Sequence, residues 1–153
     1  MQVRTLLTII IAITVLSGIA TIFPVTISGW LLENSSNFPA FMSAWIEKVY
    51  AGLSETEKSA AFIFYGLDWL AFSHFLMAGL FFGAIRNPVR NKFIVEWALC
   101  GCMLALPVIW IAGVVRTVPV FHLLVDTVFA FAGIFVFLVI QKKITRIESL
   151  KEA

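Results

Sequence analysis

Four runs of apolar residues, each long enough to cross a bilayer, separate short polar segments and leave this chain few ways to fold. They cover about 5–32, 60–85, 93–115 and 118–140. At about 1.5 Å per residue, roughly 20 helical residues cross the ~30 Å of bilayer hydrocarbon, so each run suffices. In lipid every backbone N–H and C=O must be satisfied within the protein, which only helices and closed barrels achieve. Unbroken apolar runs lack the inside–outside alternation of barrel strands. The expectation is an all-α fold: an integral membrane four-helix bundle forming a single transmembrane domain over 1–153. Composition agrees, with 61% hydrophobic and 13% charged residues, where a soluble domain carries about 25% charged. The partner this implies first is the lipid bilayer. The formal net charge of +2 calls for no nucleic-acid partner, because membrane proteins collect Lys and Arg on cytoplasmic loops.

The first run admits a second reading. Met1 to Arg4 can serve as the charged start of a secretory signal, with Gly18 and Ala20 as small residues before a cleavage site. Against it, apolar sequence continues through Phe23 and Ile27 to Leu32, beyond the length of a signal core. Between the first two runs lies a loop, 33–59. Pro39 suits an early helical position and Gly52 a C-terminal cap. Met42, Trp45, Ile46, Val49 and Leu53 recur between them at helical spacing. The pattern predicts a short amphipathic helix, resting in the headgroup region or packed over the bundle end. Ser54 and Glu57 match a capping box and are expected to start the second spanning helix.

The distribution of positive charge sets an orientation. With the N-terminus inside, the inner segments hold Arg4, Arg86, Arg90, Lys92, Lys142, Lys143, Arg146 and Lys151, eight residues, against three outside, Lys48, Lys58 and Arg116. Both termini are therefore expected to be cytoplasmic.

Two ionisable residues inside the apolar runs carry the functional expectation. Asp68 and Asp126 each lie eight residues beyond the expected outer entry points at Ala60 and Val118, about 12 Å deep on parallel helices. A charge at the centre of a span costs about 2.5–3.5 kcal/mol on the insertion scale, so such acids are expected to face protein or trapped water. At 100° per residue, Tyr65, Asp68, Phe72, Gly79 and Gly83 share one side of the second span. Gly79 and Gly83 form G-x-x-x-G, the spacing that lets membrane helices approach. On the fourth span His122, Asp126, Ala130, Gly133 and Phe137 share a face, with His122 and Asp126 one turn apart. Tyr65, Asp68, His122 and Asp126, with Arg116 at the mouth, are the candidate binding residues. Gly79, Gly83 and Gly133 are the candidate packing residues, and the first two also suit a homo-oligomer. Three roles fit the acids: a proton-sharing pocket, a polar clasp holding the bundle in register, or a grip on a basic residue of a partner protein's helix.

Other residues carry less. His74 lies opposite Tyr65 and is expected to bond to a neighbouring helix. Its depth and that of His122, about 21 and 6 Å, are too different for one haem iron. Cys100-Gly-Cys102 is not C-x-x-C, and apolar surroundings make these cysteines small hydrophobes. Glu96, one turn from Lys92, is expected to pair with it. No metal-ligand spacing, Walker A loop or serine-nucleophile motif is present, so no metal, cofactor or catalytic residue is assigned. A weak internal echo pairs Pro24-Val25 before Gly29 with Pro107-Val108 before Gly113, as in transporters built from repeated halves.

The layout, one span, a long outer loop with an amphipathic helix, then three close spans, resembles the sterol-isomerase-related EXPERA architecture. The likeness covers the whole chain as layout and includes no motif. It implies a membrane-embedded lipid-modifying enzyme in which the same acids and His122 act as general acid and base. The residues themselves point first to a non-enzymatic membrane-embedded binding or transport-accessory protein. It would recognise a small apolar ligand or a membrane-protein partner, and the remaining alternative is a structural subunit of a larger complex.

Overall fold

A computed structural model describes residues 2–152. The chain is 91% helical, and no strand occurs among the described residues. The helices are α1 (Val3–Ile22), α2 (Pro24–Glu33), α3 (Ala40–Ala60), α4 (Tyr65–Arg86), α5 (Lys92–Val115) and α6 (Val120–Glu152). Four stretches among the described residues are long and apolar enough to cross a membrane: α1, the run Ala40–Arg86, α5 and most of α6.

The ends of these helices differ from the sequence expectation in three places. The first apolar run is two helices, because Pro24 cannot donate the backbone bond that would continue α1, and it opens α2 at an early position where no donor is needed. Gly52 ends nothing, and Ser54 starts nothing. α3 runs through both to Ala60, so the amphipathic helix is 21 residues long. The break comes later, as a 3₁₀ turn at Ala61–Phe64. A capping box works only where the preceding residue leaves the helix, and residues 50–53 stay helical. By contrast, α5 begins and ends close to the expected limits, and α6 begins near its own but runs on past Ile140 to Glu152.

Packing divides the chain into two compact units, Met1–Ile11 with Gly79–Ala153, and Ala12–Ala78. In the first unit α5 and α6 form an antiparallel hairpin. Its core holds Val3, Leu7, Phe81, Ala84, Val95, Leu99, Phe137, Ile140 and Ile144. Phe81 and Phe137 stack with ring centroids 5.7 Å apart. Gly133 lets α6 approach α5, since a Cβ there would stand 2.8 Å from Cys102 Sγ. At the polar end Lys92 Nζ meets Glu148 Oε2 at 3.1 Å, and Gln141 Nε2 donates to Glu96 Oε1 at 3.5 Å. The expected Lys92–Glu96 pair is thus replaced by two bonds that join α5 to α6.

The α5–α6 connection is a tight helix stop. Val118 N–H donates to the Gly113 carbonyl at 2.9 Å and Thr117 N–H to that of Val114 at 3.1 Å, the paired bonds of a Schellman ending. Thr117 holds the left-handed position with φ of 55°. Pro119 follows and prevents the helix from continuing.

In the second unit α2 packs on α3, with Gly29 against the ring of Tyr50. Ser28 is buried, and its hydroxyl donates back to the Pro24 carbonyl at 2.8 Å. A Cβ on Gly18 of α1 would stand 2.9 Å from Phe75 Cε1 and 3.1 Å from His74 Cβ. Gly18 is therefore where α1 and α4 come close.

Candidate functional site

The two acids fall in different units, and each is described in its own surroundings. Asp68 lies in the first turn of α4 and is exposed. Its neighbours Tyr65, Trp69 and Phe72 join it in lining a shallow surface depression of about 250 Å³. The three rings form a ladder along the helix: Tyr65 meets Trp69 edge-on at 6.1 Å, and Trp69 meets Phe72 edge-on at 5.8 Å. Among the described residues no hydrogen bond or ion pair engages the Asp68 carboxylate. The Tyr65 hydroxyl does not reach it, so a local clasp by that residue is not formed.

The covered face of α4 is another one. Ala71, Ala78, Phe81 and Ala84 are its buried residues, while Tyr65, Asp68, Phe72 and Gly79 are exposed. A Cβ added at Gly79 or Gly83 would meet nothing within 4 Å. The stripe that carries Asp68 is thus not the face this chain covers. Small residues did mark the packing face, but they are the alanines seven apart at 71 and 78. Glycines leave an equally low surface, and spacing alone does not say which low surface another helix covers. Of the three glycines assigned to packing, Gly133 serves that role within the chain, whereas Gly79 and Gly83 remain open.

His74 lies on the packed side, beside Gly18. Its Nδ1 donates to the Leu70 carbonyl of its own helix at 2.8 Å, rather than to a neighbouring helix.

In the other unit α6 places His122 and Asp126 one turn apart, with His122 Nε2 3.7 Å from Asp126 Oδ2. That separation is a loose ion-pair distance, longer than a hydrogen bond. Both side chains are nearly half exposed. Arg116 caps the end of α5 through its backbone N–H, which donates to the Ala112 carbonyl at 2.9 Å. Its side chain is exposed and makes no ion pair among the described residues. Histidine beside a carboxylate can hold or pass a proton. Among the described residues, no three His, Cys, Asp or Glu side chains lie close enough to hold a metal ion.

Sequence reasoning missed a cavity of about 730 Å³ at the opposite end of α6. The basic residues around it were legible, but only as a count of charges along the chain. Comparisons with protein-family models, curated proteins and solved structures each find no match.

Proposed function

We propose that the chain is a multi-pass integral membrane protein with four spanning segments and cytoplasmic termini, acting by binding as an accessory subunit of a membrane complex. The supporting observation is Asp68, a carboxylate with no hydrogen-bond or ion-pair partner among the described residues, at the edge of an exposed aromatic ladder. Facing lipid, such a group costs about 2.5–3.5 kcal/mol at the middle of a span, and somewhat less at the depth of Asp68. A basic group from outside the chain removes that cost, since it neutralises the acid and gains from the ring faces of Trp69 and Tyr65. The occupant is a membrane helix of another protein carrying a Lys or Arg at matching depth. The open surface at Gly79 and Gly83 farther along α4 lets a second helix come close.

Asp68→Asn tests this. The amide keeps the shape and can still hydrogen-bond, but it cannot neutralise a cation. Native mass spectrometry from mild detergent should show wild-type protein carrying a stoichiometric protein partner, and Asp68→Asn inserted but released from it. A wild-type chain that flies alone, or a variant that retains its partner in full, would overturn the proposal. A retained apolar small molecule in place of a protein would move the site to ligand binding.

A further inference from the structure

At the end of the first unit that carries the basic residues, four cations line one cavity. Arg4 comes from α1, Arg86 from the last turn of α4, and Lys143 and Arg146 from α6. Gln2 and Asn87 complete the polar wall, and the cavity has a volume of about 730 Å³. Among the described residues that line it no acid appears. On α6 the carboxylate of Glu148 is already engaged, with Lys92 at 3.1 Å. Among the described residues none of the four cations has an ion-pair partner.

The backbone favours the same charge. The first turn of α1 contributes Val3 and Arg4 to the wall, with Gln2 just before it, and a helix N-terminus attracts anions through its unsatisfied N–H groups. The C-terminal end of α4 would repel them. There the Asn91 amide donates to the carbonyls of Gly83 and Asn87, each at 3.0 Å, and covers part of that negative pole. The cavity also has an apolar side, made by Val3, Val89, Ile147 and Leu150. A small inorganic anion would leave that side unused. A phosphate joined to a glyceride would use both.

We propose that this cavity binds the phosphate of an anionic phospholipid headgroup, with Arg4, Arg86, Lys143 and Arg146 on the phosphate and the apolar side against the glycerol and upper acyl chain. The site rests on the membrane reading given above. It differs from the general attraction of a basic segment to an acidic leaflet in having a defined set of residues.

Two double variants with the same loss of charge separate a pocket from a diffuse field. Arg86→Gln with Arg146→Gln removes two lining cations. Arg90→Gln with Lys142→Gln removes two cations outside the lining, one in the same turn and one in the same helix. Each protein is placed in phosphatidylcholine nanodiscs with a minor fraction of fluorescent phosphatidylglycerol, and lipid near the protein is read by energy transfer from tryptophan. At roughly fivefold per lost charge, the pocket variant should lose about 25-fold in preference for phosphatidylglycerol. The Arg90/Lys142 variant should lose less than about fivefold on the same scale. Excess inorganic phosphate should not displace the lipid. Equal losses in the two variants would overturn the pocket, and displacement by inorganic phosphate would reassign it to a free anion. Resistance of the protein to alkaline extraction from membranes is measured in parallel. A chain that is extracted contradicts the membrane reading, whereas one that stays inserted without lipid preference contradicts only the pocket.

Discussion

Replacing Thr117 with glycine should stabilise the α5–α6 hairpin, although it removes a side chain and a hydrogen bond. Thr117 has φ of 55°, where the Cβ of an L-residue crowds the backbone at a cost of about 1–2 kcal/mol. The conformation is held because two orphan carbonyls of α5, those of Gly113 and Val114, are satisfied only if the chain turns there. Glycine adopts it without strain but loses about 0.5–1 kcal/mol through the greater freedom of its unfolded chain. The Thr117 hydroxyl donates to the Arg116 carbonyl at 2.7 Å on the exposed surface, where water replaces it with little loss. The balance is a gain of about 0.5–1 kcal/mol. Thr117→Val keeps the branch and loses the hydroxyl, so it should gain nothing. Thr117→Asn, a residue that tolerates the left-handed region, should fall between. The assay is equilibrium unfolding in mixed micelles by titration with a denaturing detergent, followed by tryptophan fluorescence. A glycine variant less stable than wild type, or a valine variant as stable as the glycine one, would refute the strain argument.

Two further outcomes follow from the packing and the charge pattern. Ile140 is fully buried in the α5–α6 core, and in a water-soluble protein Ile140→Ala would cost about 2–5 kcal/mol. In a bilayer the unfolded helix remains in hydrocarbon, so only the packing part is lost. The same micelle titration should give a value under about 2 kcal/mol, and one near the top of the soluble range would contradict the membrane reading. A reporter enzyme active only outside the cytoplasm, fused after Ala153, should be silent, while the same reporter inserted near Asn34 should be active. The reverse pattern would invert the orientation.

Length and apolarity carried most of the architecture, because a run of nonpolar residues between polar turns has few alternatives. For α5 the limits were legible to within a residue, since Lys92 and Arg116 bracket the run. Interruptions inside apolar sequence were harder to read. Pro24 lies within an unbroken hydrophobic stretch, and only its missing donor reveals that the helix restarts there. Ser54 and Glu57 have the right spacing for a helix start, yet a spacing does not report whether the chain before it has left the helix. The Asp68 face shows the same limit. Helical angles correctly grouped Asp68 with Tyr65 and Phe72, but which side is covered depends on where Ala71 and Ala78 find their neighbours. The basic cavity depends on the sequence-distant residues Arg4, Arg86 and Lys143 meeting, and no local pattern encodes that.

The early stop of α1 at Ile22 has a physical consequence for where such a chain can reside. Twenty residues reach about 30 Å, equal to an average hydrocarbon thickness with nothing left over for tilt. α5, at 24 residues, and the apolar part of α6 are longer and can lean to fit. A thicker, sterol-rich bilayer would leave the ends of α1 unmatched, at fractions of a kcal/mol per Å. On the membrane reading proposed above, the proline that divides the first run makes α1 the span with least length to spare, one that matches thin membranes better than thick ones.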